Sequence, residues 1–370
     1  MEKIKNWVKK ETILVVSWGL AIISCCFIFP DQKYVEYIDF NTLGILFCLM
    51  AIMEGFQALG IFRHTGELLL KKVKNTRQLE AILIFLCYIS SMFITNDVAL
   101  ITFVPFTLEI LHMIQQENRI LPVVVMQTIA ANLGSMLTPI GNPQNLYLFS
   151  KFNISIQNFI FTILPYAILS FVLIALFVFF QKPYPISTSF LKQEKLGKNK
   201  KLFSIYCILF ILSLATVVHF IPTIALFVVV LTTIVIADRK ILKKVDYSLL
   251  FTFIGFFIFV GNIGRISIIH HFLETVLQGN EVLVSVGISQ FISNVPAALL
   301  LAGFTNSWNL LLIGTNIGGL GTLIASMASL ISFKFICKDS PQKKNTYLGY
   351  FTIFNLVFLT ASLILYFLMG

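Results

Sequence analysis

Charge is what this chain has least of. Only 12% of its 370 residues are Asp, Glu, Lys or Arg, about half the share near 25% that is usual in a soluble domain. The length would accommodate two soluble domains, but no polar stretch is long enough to make one. The six cysteines, Cys25, Cys26, Cys48, Cys87, Cys207 and Cys337, lack the paired spacing of a zinc site, and no extracellular loop holds a disulfide pair. They read as small apolar packing residues. There is no intramembrane His-Glu-x-x-His, Gly-x-Ser-x-Gly or pair of catalytic carboxylates, which leaves an intramembrane enzyme as the remotest reading. The first apolar run, residues 12–30, follows a basic stretch but has no small-x-small cleavage pattern, so it reads as a retained span.

What is present is apolar sequence. Hydrophobic residues make up 57% of the chain, and 37 residues are Phe. Apolar runs near 20 residues recur, long enough to cross about 30 Å of hydrocarbon. The spacing predicts spans near 12–30, 42–62, 121–150, 158–180, 202–219, 222–237, 247–263, 307–333 and 347–369. Two further stretches, 79–111 and 280–304, read as hairpins that enter and leave on one side. With the N-terminus cytoplasmic, all of the 27 Lys and Arg except Lys33, Lys151 and Arg265 fall on the inner side. That is the positive-inside bias. The net charge of +10 therefore reports topology rather than a nucleic-acid partner. The lipid bilayer is the partner, the chain is a multi-pass cell-membrane protein, and its C-terminus is expected to be extracytoplasmic.

Two passages resemble each other. Ser91-Met-Phe-Ile-Thr-Asn-Asp-Val-Ala-Leu100 pairs with Ser289-Gln-Phe-Ile-Ser-Asn-Val-Pro-Ala-Ala298. Each precedes a broken apolar run, Ala131 to Asn145 and Thr315 to Ser326, in which Asn132 aligns with Asn316, Gly134 with Gly318 and Thr138 with Thr322. Upstream, Asp39 and Asp246 each begin a span. The stretch 79–111 is flanked by basic loops and 280–304 by loops without Lys or Arg, so the repeats are expected to face opposite ways. The predicted fold is an all-α polytopic membrane protein with about nine spans and two hairpins. Residues 1–180 form the first inverted repeat, 181–201 a cytoplasmic linker, and 202–370 a connecting helix plus the second repeat. Inverted repeats with interrupted helices are the architecture of secondary transporters.

The interruptions carry the chemistry. Helix ends within a membrane are tolerated only when buried in protein or lining a wet cavity. Helix N-termini attract anions and C-terminal carbonyls suit cations. The tip Thr95-Asn96-Asp97 is one such end. The break Thr138-Pro-Ile-Gly-Asn-Pro-Gln-Asn145 is another, where two prolines and a glycine make a continuous helix costly. Asp97, a carboxylate at membrane depth, is a functional candidate by default, as cation ligand, proton carrier or cap of the second hairpin helix. Glu54 is the other carboxylate within a span. Glu109 reads as interfacial, Arg63 and His64 as anchors, and Arg265 with His270 and His271 as solvated residues of the outer face.

The tip Ile94-Thr-Asn-Asp97, the break Gly141-Asn-Pro-Gln-Asn145 and the tip Ser293-Asn-Val-Pro296 resemble the ion transporter superfamily: divalent anion:sodium symporters, citrate transporters, arsenite permeases and some sodium/proton antiporters. The resemblance covers nearly the whole chain. In the symporter branch each tip carries Ser-Asn-Thr, and its residues contact substrate carboxylates and sodium. Carried over, it implies a sodium site at Ser91, Thr95, Asn96 and Gly141 and another at Ser289, Ser293, Asn294 and Ala325. It implies substrate contacts at Asn96, Asp97, Asn142, Asn145, Asn294 and Thr322. The third tip position departs from the pattern, being Asp97 and Val295. A carboxylate there would repel a dicarboxylate, which leans toward the arsenite-permease-like and citrate-like members. The expectation is a secondary transporter of a small anionic solute, an inorganic oxyanion or carboxylate, coupled to Na+ or H+. It uses no cofactor, and the resemblance points to a homodimer. The alternative is a sodium/proton antiporter exchanging at Asp97.

Overall fold

The computed structural model describes residues 11–70, 73–186 and 200–369. The basic N-terminal stretch before residue 11, Lys71, Lys72 and most of the linker expected at 181–201 lie outside the described residues. The described chain is helical throughout, with one isolated antiparallel bridge between Asn75 and Pro185. It is an all-α polytopic membrane protein. Among the described residues six helices are long and apolar enough to cross a membrane.

The helices are α1 (Thr12–Cys25), α2 (Lys33–Glu36), α3 (Phe40–Ala58), α4 (Ile61–Leu70), α5 (Thr76–Ile94), α6 (Asn96–Met113), α7 (Ile120–Ser135), α8 (Pro143–Lys151) and α9 (Ile156–Phe179). Then come α10 (Lys200–Val217), α11 (Thr223–Asp238), α12 (Tyr247–Gly264), α13 (Ser267–Leu277), α14 (Glu281–Ile292), α15 (Asn294–Leu301), α16 (Trp308–Ile317), α17 (Met327–Asp339) and α18 (Lys344–Met369). The order from α3 to α9 recurs from α12 to α18: a long apolar helix, a short helix, a two-helix hairpin, a helix broken in two, and a final apolar helix. The long helices open on the same cap. Asp39 accepts from the Thr42 amide at 2.9 Å and Asp246 from the Leu249 amide at 3.0 Å, each satisfying an amide that has no partner within its own helix.

Two segments expected as plain loops contain helices. Residues 63–78 begin with most of α4, and 264–279 hold α13. Both are too short to span, and both are amphipathic. In α4 Gly66, Glu67 and Leu70 are buried, while Leu68 and Leu69 stand out. In α13 Leu277 is buried and Ile268 and Phe272 are exposed. Each apolar run is shorter than hydrocarbon thickness requires, so these helices suit the interface instead.

Packing crosses between the halves. α1 lies along α12, and α11 lies along α3, so the helix preceding each half packs on the long helix of the other. α5 packs most extensively on α7, and α14 likewise on α16, seating each hairpin on the broken helix of its own half. Small residues allow the close approach. A Cβ at Gly134 would stand 2.7 Å from Ser91 Oγ, and one at Gly318 2.6 Å from Ser289 Oγ, so any larger residue would push hairpin and broken helix apart.

At the base of the first hairpin, Arg119 pairs with Glu80 in a buried ion pair. The same guanidinium donates to the Lys182 carbonyl at 2.7 Å and lies 5.3 Å from the Tyr184 ring. The Thr76 amide donates to Tyr184 O at 2.9 Å and the Ile186 amide to Lys74 O at 3.1 Å. The chain leaving α9 is thus strapped across the hairpin base. Removing one member of a buried pair leaves the other charge uncompensated, so Arg119→Ala should lower stability by about 3–5 kcal/mol. Thermal unfolding of purified protein in detergent measures this, and a change within error would show that the pair contributes little.

Candidate functional site

Each hairpin turns on one residue. Thr95 has φ 69° and ψ 152°, and Ser293 has φ 77° and ψ 154°. That region is close to glycine-only and costs about 1–3 kcal/mol for a residue with a side chain, so it persists only where surrounding contacts hold it. Both tips have such contacts. Immediately after each turn, the Asn96 amide donates to Gly141 O at 3.2 Å and the Asn294 amide to Ala325 O at 2.9 Å. The first amide of each second hairpin helix, unpaired within its own helix, is thereby satisfied by the break in the adjacent broken helix. Aligned residues make the same bond in both halves.

The breaks are joined to each other across the halves. Asn142 Nδ2 donates to Asn316 Oδ1 at 3.3 Å, and Ser326 Oγ donates to Asn132 Oδ1 at 2.9 Å. Asn316 Nδ2 also donates to Asn145 Oδ1 at 2.7 Å, and Asn96 Nδ2 to Asn132 Oδ1 at 3.1 Å. These bonds form two sets, Asn96–Asn132–Ser326 and Asn142–Asn316–Asn145, joined by Ser135, which accepts from Asn142 Nδ2 at 3.1 Å and donates to Asn132 O at 2.9 Å. The orphan carbonyls at the end of α7 are capped by Asn145 Nδ2, which reaches Met136 O and Thr138 O at 3.1 Å. At the end of α16 the same service comes from Gln290 Nε2, at 3.1 Å from Gly318 O and 3.0 Å from Leu320 O.

The residues expected to hold a cation gather at these two places. Ser91 and Ser289 are buried and donate to Tyr88 O and Ser285 O at 2.9 and 2.7 Å, which leaves their oxygen lone pairs facing outward from that bond. Ser293 Oγ lies 3.5 Å from Ala325 O. Thr95 lines the cavity described below, and the carbonyls of Gly141 and Ala325 each retain a second lone pair. This oxygen-only donor set fits an alkali cation. Among the described residues no group of three or more His, Cys, Asp or Glu is placed to hold a metal ion.

The expected substrate residues divide. Asp97 and Asn142 line a cavity of about 110 Å³, together with Thr95, Glu54, Asp246 and apolar residues of α3, α6, α8 and α12. Asn96 and Asn294 are buried at the tips, next to the breaks. Asn145 is fully buried, its amide occupied by the carbonyls and Asn316. Thr322 is exposed and bonds Gln290 through both its amide and its hydroxyl. Sequence reasoning left out Asn132, Asn316 and Gln290 as site residues, although the Asn132–Asn316 alignment was the available signal; Ser326 ends the second break, Thr322–Ser326, which the sequence did place at the site. Gln144 lies in the first break, Thr138–Asn145, which the sequence placed at the site without giving this residue a role of its own. That side chain is 1% exposed, and neither amide atom has a hydrogen-bond partner among the described residues. Asp97 Oδ1 and Asn132 Nδ2 are buried and unpartnered as well. Four such atoms on three residues of the first tip and its broken helix mark a place built to receive polar groups.

An orphaned buried amide is destabilising, and an apolar side chain of similar shape relieves it. Gln144→Met should stabilise the fold by on the order of 1 kcal/mol while lowering uptake roughly tenfold. Thermal unfolding and transport measured on one preparation separate the two. A stabilised variant with unchanged uptake would remove Gln144 from the site.

Comparison with known proteins places the chain among transporters. A family model described as citrate transporter matches residues 6–309. An uncharacterized transporter of Methanocaldococcus jannaschii is 34% identical over 331 residues, covering 87% of this chain and 88% of its own. The inner membrane protein YbiR of Escherichia coli is 29% identical over 331 residues, 88% of this chain and 86% of its own. A silicon efflux transporter of Oryza sativa subsp. japonica is 33% identical over 135 residues, 36% of this chain and 27% of its own.

Proposed function

We propose that this chain, which belongs to the citrate transporter family of the ion transporter superfamily, carries a small oxyacid solute across the membrane together with Na+ or H+. The observation that carries the reading is the pair of strained hairpin tips held against two cross-linked breaks, with the buried, unpartnered atoms of Asp97, Asn132 and Gln144 beside them. Two helix N-termini and a set of uncommitted amides suit an oxygen-rich solute. The oxygen donors at Ser91, Thr95 and Gly141, and at Ser289, Ser293 and Ala325, suit the coupling cation.

The cavity lining narrows the solute. Among the described residues, Glu54, Asp97 and Asp246 border it and no Lys, Arg or His does, although Lys244 lies close enough to act electrostatically on Glu54. Free polyanions are repelled by such a surface at low dielectric. The solute therefore travels protonated or paired with a cation, which is what coupling to Na+ or H+ supplies. The family description favours a carboxylate, and the rice relative, named for silicon efflux, favours an inorganic oxyacid. A second reading rests on the same carboxylates: a sodium/proton antiporter exchanging at Asp97, with no other solute.

Transport in proteoliposomes tests both readings. Citrate, arsenite and silicic acid are offered under imposed sodium and pH gradients. Uptake of one of them that follows either gradient supports the symport reading, and Asn96→Ala and Asn294→Ala should each reduce it by about tenfold or more. Unchanged uptake in both variants would refute the site. Asp97→Asn should abolish the dependence on the driving gradient. If a sodium pulse alone moves protons and none of the three solutes is carried, the antiporter reading replaces the first.

A further inference from the structure

A second polar cavity lies at the opposite ends of the same helices. Its volume is about 470 Å³, and it is lined by Asp39, Asn41 and Ile45 of the α3 entrance, Ser150 and Asn153 after α8, Thr216 and His219 after α10, and the residues that open α11. Most of these side chains are polar, unusual for a concavity at the end of four apolar helices. The side chains of Asn41, Ser150, Asn153 and His219 make no hydrogen bond among the described residues. Asp39 accepts from the Thr42 amide and hydroxyl, so the cavity presents amide, hydroxyl and imidazole groups beside one hydrogen-bonded carboxylate. The His219 ring is stacked on Phe149, 6.3 Å between centroids and 5° from parallel, on a backbone with φ 65°.

The two cavities follow one another along a single seam. On α3, Ile45 borders the second cavity and its neighbour Leu46 the first. On α8, Leu146 borders the first and Ser150, one turn later, the second. Four residues of helix rise about 6 Å. Between them stands an apolar layer of Ile45, Leu46, Leu146 and Tyr147, each at most 5% exposed. The Tyr147 ring closes it against Phe257 of α12, 5.6 Å between centroids. Lys151, one of three basic residues assigned to the outer face, follows Ser150 directly.

We infer that the solute path runs along the α3–α8 seam, that the second cavity is its extracytoplasmic binding vestibule for the hydroxyl-rich oxyacid, and that the Ile45–Leu46–Leu146–Tyr147 layer is the closed gate between vestibule and central cavity. The inference rests on the transporter reading above. Uncharged amide and hydroxyl groups beside the Asp39 carboxylate suit a solute in the protonated or ion-paired form that the acidic central cavity requires. The thinness of the layer means that a small separation of α3 from α8 joins the cavities.

Cysteine labelling tests this without knowledge of the solute. Cys25 and Cys26, near the same face, are first replaced by Ser. Intact cells are then treated with a membrane-impermeant maleimide. Ser150→Cys and Asn153→Cys should label from outside, whereas Met50→Cys, in the central cavity, should not. In the Leu146→Ser background Met50→Cys should become reactive from outside, and the milder Leu146→Ala serves if the first variant is not monodisperse. Failure of Ser150→Cys and Asn153→Cys to label, or of Met50→Cys to gain reactivity in a monodisperse gate variant, overturns the inference. A third arm fills the vestibule with Asn41→Trp. It should abolish uptake of whichever of citrate, arsenite or silicic acid the unaltered protein carries, and retained uptake counts against the vestibule. If none of the three is carried, the solute reading fails while the labelling pattern still decides the path.

Discussion

A backbone amide that ends a helix inside a membrane has no water to bond, and the fold is organised around meeting that demand. At each hairpin tip the exposed amide, of Asn96 or Asn294, finds the carbonyl of Gly141 or Ala325 in the break of the adjacent helix. One interruption satisfies the other. Neither would be tolerable alone at this depth, where each unpaired polar group is destabilising by several kcal/mol. Ser91 and Ser289 sit against Gly134 and Gly318 because tip and break must be that close. The strained turns at Thr95 and Ser293 persist because the same bonds hold them. A cluster of buried polar groups at membrane depth is then the direct consequence of solving a backbone problem with paired breaks.

The halves solve it with different parts. Asn145 caps the end of α7 from beyond the break, whereas Gln290 caps the end of α16 from the hairpin helix before it. The first tip continues into Asp97, bordering a cavity that also holds Glu54 and Asp246. The second continues into Val295, which is buried. Charge and cavity are therefore concentrated on one side of an otherwise matched pair. A carrier whose two halves were identical would have no reason to favour a cation on one tip over the other. On the proposed reading, this acidic side is what ties solute movement to a cation.

The Glu80–Arg119 pair and the strap of residues 182–186 add a different constraint. They anchor the first hairpin at its basic face to the chain leaving α9. At the same face His112 of α6 reaches Asp339 of α17 at 2.9 Å. The tips can therefore be held precisely in relation to the breaks while α3, α11 and α12 contact this body through largely apolar surfaces. The α3–α8 seam is apolar between the two cavities.

Much of this was determined by the sequence alone. Scarcity of charge and runs near 20 residues dictated a multi-pass helical chain, and the repeated Ser…Asn tips and Gly-rich breaks located the interruptions, because hydrophobic length and helix-breaking residues act locally. The amphipathic α4 and α13 were missed as helices since their apolar positions are too few to register as spans. Only the tertiary structure decided which amides are engaged and which are left open. Asn145 and Gln144 are neighbours of similar chemistry, yet one is saturated by carbonyls and Asn316 while the other has no partner. The joining of Asn142 to Asn316 and Ser326 to Asn132, 174 and 194 residues apart, likewise depends on how the helices cross. Hydrogen bonding in a low-dielectric interior is settled by angstrom-scale placement, and residue type and spacing carry no record of that placement.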